Sequence, residues 1–158
     1  MSVNPYSDRV TELNDAPIRE GRYVLYWMQR SQRAEANHAL EYAAGEAKRL
    51  KRPLLVGFAL MPAYPGASER HYRFMLEGLR ETADALKQRR IHFVLRIGEP
   101  SAVAIDLARD ASLVVCDRGY LGHLREWRFQ VARTVACKTV EVESELIVPV
   151  EQVSQKAE

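Results

Sequence analysis

The chain has 158 residues, 47% hydrophobic and 28% charged, enough for one domain with a sizeable core and too few for two ordinary ones. A formal charge of +2 is too mild to mark a dedicated nucleic-acid binder, which gathers its lysines and arginines on one face. Cys116 and Cys137 form no CxxC pair, which leaves neither a disulfide scaffold nor a metal frame and points to a reduced, cytoplasmic setting. No apolar run approaches the ~20 residues that span a bilayer, and the first ten residues lack the basic and apolar blocks of a signal peptide.

Residues 1–21 form a polar lead-in in which Pro5 to Leu13 is expected to make a short helix, broken by Asn14, Asp15 and Pro17. Tyr23 to Met28 is apolar on both faces, as a central parallel strand covered by helices on each side would be. From Ala34, the residues Ala36, Ala39, Leu40, Ala43, Ala47 and Leu50 recur at steps of three and four, which predicts a helix that sits close on the sheet. Leu54 to Leu60 reads as the second strand, closed by the punctuated loop from Met61 to Gly66.

Ser68 is placed to cap a long helix to about Arg89, with Tyr72, Met75, Leu76, Leu79, Ala83 and Leu86 inward. Ile91 to Ile97 makes a third strand, and Glu99 to Asp110 a shorter helix with Pro100 in its first turn. Leu113 to Cys116 is the fourth strand, with Asp117 at its carboxyl end; a helix from about His123 to Ala136 and a fifth strand, Thr139 to Val142, follow. Leu146 to Val150 is a last apolar piece before the polar end. The resulting domain, 22–150, is α/β in three layers around a doubly wound, five-stranded parallel sheet of order 3-2-1-4-5. Ligands of such sheets sit where the winding reverses, between the first and fourth strands, where the loops Gln29 to Arg33 and Asp117 to Gly122 meet.

No GxGxxG, Walker motif or other glycine-rich phosphate cradle follows any strand, which disfavours ordinary dinucleotide or triphosphate binding. The histidines, His38, His71, His92 and His123, lie in separate elements without partners at metal-ligand spacing, so no metal site is expected. Arg30 has two readings, a clamp or stacking platform for a planar anion and a structural ion pair; for Arg33 the structural reading is preferred. Asp117 either bonds a ligand or caps the amides at Gly119 and Tyr120. Trp27 and Trp127 read as core rather than as chromophore partners. Arg118, Arg125, Arg128 and Arg133 spread around their helix and read as a solvated face.

The run from Tyr26 to Arg33, YWMQRSQR, with Asn37-His38-Ala39-Leu40 after it, resembles the opening signature of class II cyclobutane pyrimidine dimer photolyases. Asn14-Asp15-Ala16-Pro17, the helix Arg73 to Leu79 and Ile147-Val148-Pro149-Val150 are similar to that family in the same order, so the likeness covers nearly the whole chain. It implies a light-driven DNA repair flavoprotein of two parts, an N-terminal Rossmann-like antenna domain and a larger helical domain holding FAD and the lesion. Only the first part would be present, with residues 151–158 beginning a linker. No catalytic residue is then expected in this stretch, and its partners would be the helical FAD domain and, through the whole protein, DNA containing pyrimidine dimers.

The resemblance further implies a deazaflavin-type antenna pigment at the carboxyl ends of the strands, the place the winding argument selects independently. By position, Met28, Gln29, Arg30, the second-strand exit at Leu60 and Met61, and Asp117, Arg118, Gly119 and Tyr120 would line its slot. Two other functions compete. One is a free-standing nucleotide-binding module of the stress-protein or electron-transfer-flavoprotein kind. The other is a docking domain that only buttresses the helical part, which would show an exposed apolar patch.

Overall fold

The computed structural model describes residues 6–146, and the final apolar piece expected at 146–150 lies almost wholly outside them. After a single 3-10 turn at Ser7–Arg9 come β1 (Val10–Glu12), β2 (Tyr23–Met28), α1 (His38–Leu50), β3 (Leu54–Leu60), α2 (Glu69–Gln88), β4 (His92–Ile97), α3 (Pro100–Ala108), β5 (Ala111–Asp117), α4 (Gly122–Thr134) and β6 (Lys138–Val142). The strands form one sheet in the order β1-β6-β5-β2-β3-β4. Its five parallel strands reproduce the expected doubly wound order, and β2 lies between β5 and β3 where the winding reverses.

The sixth strand was not expected. In place of a helix over Pro5 to Leu13, Val10, Thr11 and Glu12 pair antiparallel with Val142, Glu141 and Val140. Arg9 and Leu13 extend the pairing: the Glu143 N–H donates to the Arg9 carbonyl at 2.9 Å, and the Leu13 N–H to that of Thr139 at 2.9 Å. Three residues are too few to display a period, so the available edge of β6 decides the conformation. The rest of the lead-in is stitched to the sheet. Asn14 donates to the carbonyls of Ala132 and Cys137 and accepts from the Thr139 N–H. Gly21 passes so close to the next strand that a Cβ there would lie 2.5 Å from the Ser112 nitrogen.

Alternation along β2 sends its side chains into two cores. Val24, Tyr26 and Met28 pack with Leu40 and Ala43 of α1 and Leu79 and Leu86 of α2. Leu25 meets Leu107 of α3, and Trp27 meets Val131 of α4, on the opposite face. The small residues of α1 allow its close seat, as the sequence implies. That helix starts at His38, later than the apolar stripe suggests, because Asn37 is its cap, accepting from the Leu40 N–H at 3.0 Å. The stripe on α2 also departs from expectation. Leu79 and Leu86 are buried, whereas Leu76 is 42% exposed, and Tyr72 and Met75, in the first half of the helix, border a hollow.

Candidate functional site

At the carboxyl ends of β2 and β5, Asp117 and the loop after β2 form one construction. The Asp117 carboxylate is 1% exposed. Its Oδ2 accepts from the backbone N–H groups of Gln29, Arg30 and Ser31 at 2.9, 2.8 and 3.2 Å. Its Oδ1 accepts from the Tyr26 hydroxyl at 2.8 Å. Burial pushes the Asp117 carboxyl above the usual carboxylate range, and these donors pull it only part of the way back. Burial and the adjacent carboxylate hold the Tyr26 phenol far above its ordinary value, so it stays a donor. Of the two sequence readings of Asp117, the structure shows a cap, with a correction: the amides capped belong to Gln29, Arg30 and Ser31 and not to Gly119 and Tyr120.

Further bonds fix the same loop. The Asn37 amide donates to the carbonyls of Ser31 and Arg33. Thr82 donates to the carbonyl of Gln32 at 3.1 Å, and Arg89 to that of Ala34 at 2.9 Å. The loop is therefore a rigid shelf.

Beside it opens a cavity of about 660 Å³ between the ends of β2 and β3, the first half of α2, the loop 61–67 and the start of α4. That volume lies within the roughly 300–1,000 Å³ usual for small-molecule sites. Trp27, Met28, Phe58, Met61, Tyr72, Met75 and Trp127 give it flat or pliable apolar walls, while Gln29, Arg30, Gln32 and His71 add polar groups. Both carboxamide atoms of Gln29 and the indole Nε1 of Trp27 are buried without a hydrogen-bond partner among the described residues. Arg30 forks onto Glu145 at 3.2 and 2.8 Å.

Of the residues expected at a slot, Met28, Gln29, Arg30, Leu60 and Met61 line this cavity, and Asp117, Arg118, Gly119 and Tyr120 do not. The first part of the loop after β5, Arg118 to Tyr120, turns away, while Leu121 borders the cavity. Arg118 lies 3.6 Å from Glu141 and over the Tyr120 ring, and the Tyr120 hydroxyl donates to Glu143. The hollow thus sits toward β3, displaced from the crossing between β2 and β5. Arg128, expected on a solvated face, is 4% exposed and bonds Glu141 through Nε at 2.8 Å. Trp27 and Trp127 are core as read, Trp27 1% exposed and Trp127 packed against the same cluster, and both also border the cavity; the aromatics of α2 were not expected at the site, and the aromatic-rich start of α2 was the available signal.

A clasp crosses the outside of the hollow. The Tyr64 hydroxyl is 2.8 Å from His123 Nε2, and the His123 ring meets the Trp127 ring edge-on at 5.2 Å. Tyr72 holds the base of the same loop, accepting from the Tyr64 N–H and donating to the Met61 carbonyl. Tyr64→Phe and His123→Ala are each expected to raise acrylamide quenching of tryptophan fluorescence, since both tryptophans line this cavity. Equal quenching constants in all three proteins would show that the clasp does not restrict access.

Among the described residues no group of histidine, cysteine or carboxylate side chains is placed to hold a metal ion, and no helix is long and apolar enough to cross a membrane. The DNA photolyase family model matches residues 24–158. The chain belongs to the DNA photolyase family. It is 44% identical over 154 residues to the deoxyribodipyrimidine photo-lyase of Methanothermobacter thermautotrophicus, covering 97% of this chain and 35% of that protein. Against the enzyme of the same name from Potorous tridactylus it is 36% identical over 143 residues, 88% of this chain and 27% of that one. This photolyase-family chain thus spans between about a quarter and a third of the length of the curated relatives it matches.

Its fold is shared more widely. A universal stress protein in complex with cAMP superposes with a TM-score of 0.54 at 18% identity, over 79% of this chain and 99% of its own. The universal stress protein of Archaeoglobus fulgidus in complex with dAMP gives 0.54 at 15% identity, over 79% and 100%. These likenesses establish the layered α/β architecture.

Proposed function

We propose that this chain is the antenna domain of a light-dependent enzyme that splits cyclobutane pyrimidine dimers in DNA, and that its cavity takes a planar deazaflavin-type pigment. FAD, the lesion site and catalysis belong, in this reading, to a helical part of the same polypeptide. The observation that carries the reading is the cavity itself: an apolar, aromatic-walled hollow on a rigid shelf, with no glycine-rich phosphate cradle. A bound pigment would absorb light and pass the excitation to the flavin. The chain's own residues provide the seat. Met28, Met61 and Trp127 offer surfaces to a ring system, Gln29 offers a donor and an acceptor, and Asp117 keeps the shelf from moving.

The family membership and the residues at the end of β2 support this assignment over a free-standing nucleotide module, which shares only the fold. Titrating the protein with 5-deazariboflavin, FAD and ATP while following tryptophan fluorescence separates the two. Saturable quenching by the deazaflavin, weakened in Gly78→Leu, is expected, because Gly78 borders the cavity with open space where its side chain would be. Preference for ATP would overturn the reading, as would lesion repair by this chain alone.

A further inference from the structure

Gln29 is held at both ends of its backbone. Its N–H donates to Asp117 and its carbonyl accepts from the Gln32 side chain at 3.2 Å. Its carboxamide, in contrast, is buried with neither atom paired among the described residues, and the indole N–H of Trp27, near the end of the preceding strand, is in the same condition. Burying an amide unpaired is costly, and folded proteins leave few such groups without a reason. Here both residues belong to the wall of the same hollow of about 660 Å³. Together they present two donors and an acceptor.

Resting on the reading of the cavity as a pigment site, we propose that Gln29 is its specificity-determining residue, recognising the uncharged imide edge of a pyrimidine-2,4-dione ring. Such an edge shows carbonyl, N–H and carbonyl in a row. The Gln29 oxygen accepts from the ring N–H, its NH2 donates to one carbonyl, and the Trp27 indole serves the other. The glutamine side chain is flexible enough to turn from the wall onto the ring while the backbone that Asp117 holds stays fixed. The Gln29 and Trp27 groups carry no charge, so these contacts recognise the neutral ring edge and not a phosphate or carboxylate.

The test uses 5-deazariboflavin and its N3-methyl derivative against wild type and Gln29→Met, with ligand-free melting temperatures measured alongside. In wild type, methylation of N3 is expected to weaken binding roughly ten- to hundredfold, the usual effect of leaving a buried partner unpaired. In Gln29→Met the parent ligand is expected to bind that much more weakly and the methyl group to make little further difference. The ligand-free variant is expected to melt at or above the wild-type temperature, because an unpaired amide has been replaced by an apolar chain of similar length. A wild type that binds both ligands equally, or a variant that binds as wild type does, overturns the role of Gln29 and leaves the pigment site standing. A wild type that binds neither removes the pigment site and the role with it. A ligand-free variant that melts many degrees lower would show that the carboxamide is a structural group and overturn the proposal.

Discussion

Asp117→Ala is expected to destabilise the domain by about 3–5 kcal/mol, because it strands three backbone amides in a dry interior and takes the near acceptor from the Tyr26 hydroxyl, which keeps only Asn37. Urea unfolding gives the value, and a loss under about 1 kcal/mol would mean that water takes over the four donors. Any pigment should also dissociate faster, since the shelf that carries Gln29 and Arg30 is then unmoored. The pH dependence has a definite sign. The folded carboxyl lies above its ordinary value, so near neutral pH the unfolded chain releases this proton more readily than the folded one. The group's contribution is therefore full below the unfolded value and falls as pH rises through the folded value. Wild type should gain on Asp117→Asn as pH is lowered from neutrality toward the ordinary carboxylate range, opposite to the usual trend for a paired acid. A stability difference that shrinks on acidification would contradict this.

Arg128→Met is expected to cost about 3 kcal/mol, toward the lower end of what breaking a buried pair costs. It leaves Glu141, on a strand in the interior of the sheet, facing only Arg118, at 3.6 Å, among the described cationic side chains. The double variant Arg128→Met with Glu141→Met is expected to recover most of the loss, since two well-packed apolar chains replace two desolvated charges. The Arg128 Nη1 has no partner among the described residues, which lowers what the intact pair contributes. Denaturation midpoints of the two single variants, the double and wild type close the cycle. A double variant as unstable as the sum of the singles would mean that the arginine acts through packing rather than through its carboxylate.

The central strands were readable because their burial on both faces leaves a continuous apolar run, as in Tyr23 to Met28 and Leu113 to Cys116, and such runs fit little else in an α/β chain. The strand order followed from the alternation of those runs with helical stripes. What escaped depends on distant partners. The bonds from Gln29, Arg30 and Ser31 to Asp117 span 86 to 88 positions, so no local pattern tells which amides that carboxylate will gather. Arg128 looked solvated on its own helix, and only Glu141, brought up by the next strand, makes its burial tolerable. The hollow was sought between the loops after β2 and β5 and lies toward β3, because the start of α2 walls it there and the first part of the loop after β5 closes on Glu141 and Glu143. Of the slot residues, those that end β2 and β3 border it, since strand ends are fixed by register, whereas the loop residues after Asp117 are not.

The short strand at the start of the chain has a bearing on how this domain can be cut. Arg9 accepts the Glu143 amide proton through its carbonyl and reaches the Leu146 carbonyl with its guanidinium at 2.7 Å, so the opening and the far end of the described chain are tied at one place. A boundary drawn at Gly21, where the main parallel run begins, would strip β6 of its neighbour and bare a row of amides and carbonyls able to recruit another copy. It would also release the peptide that carries Glu145, the counter-charge of Arg30. The stretch from Arg9 to Leu13 is thus both the hem of the sheet and a tether for the route by which the backbone leaves it.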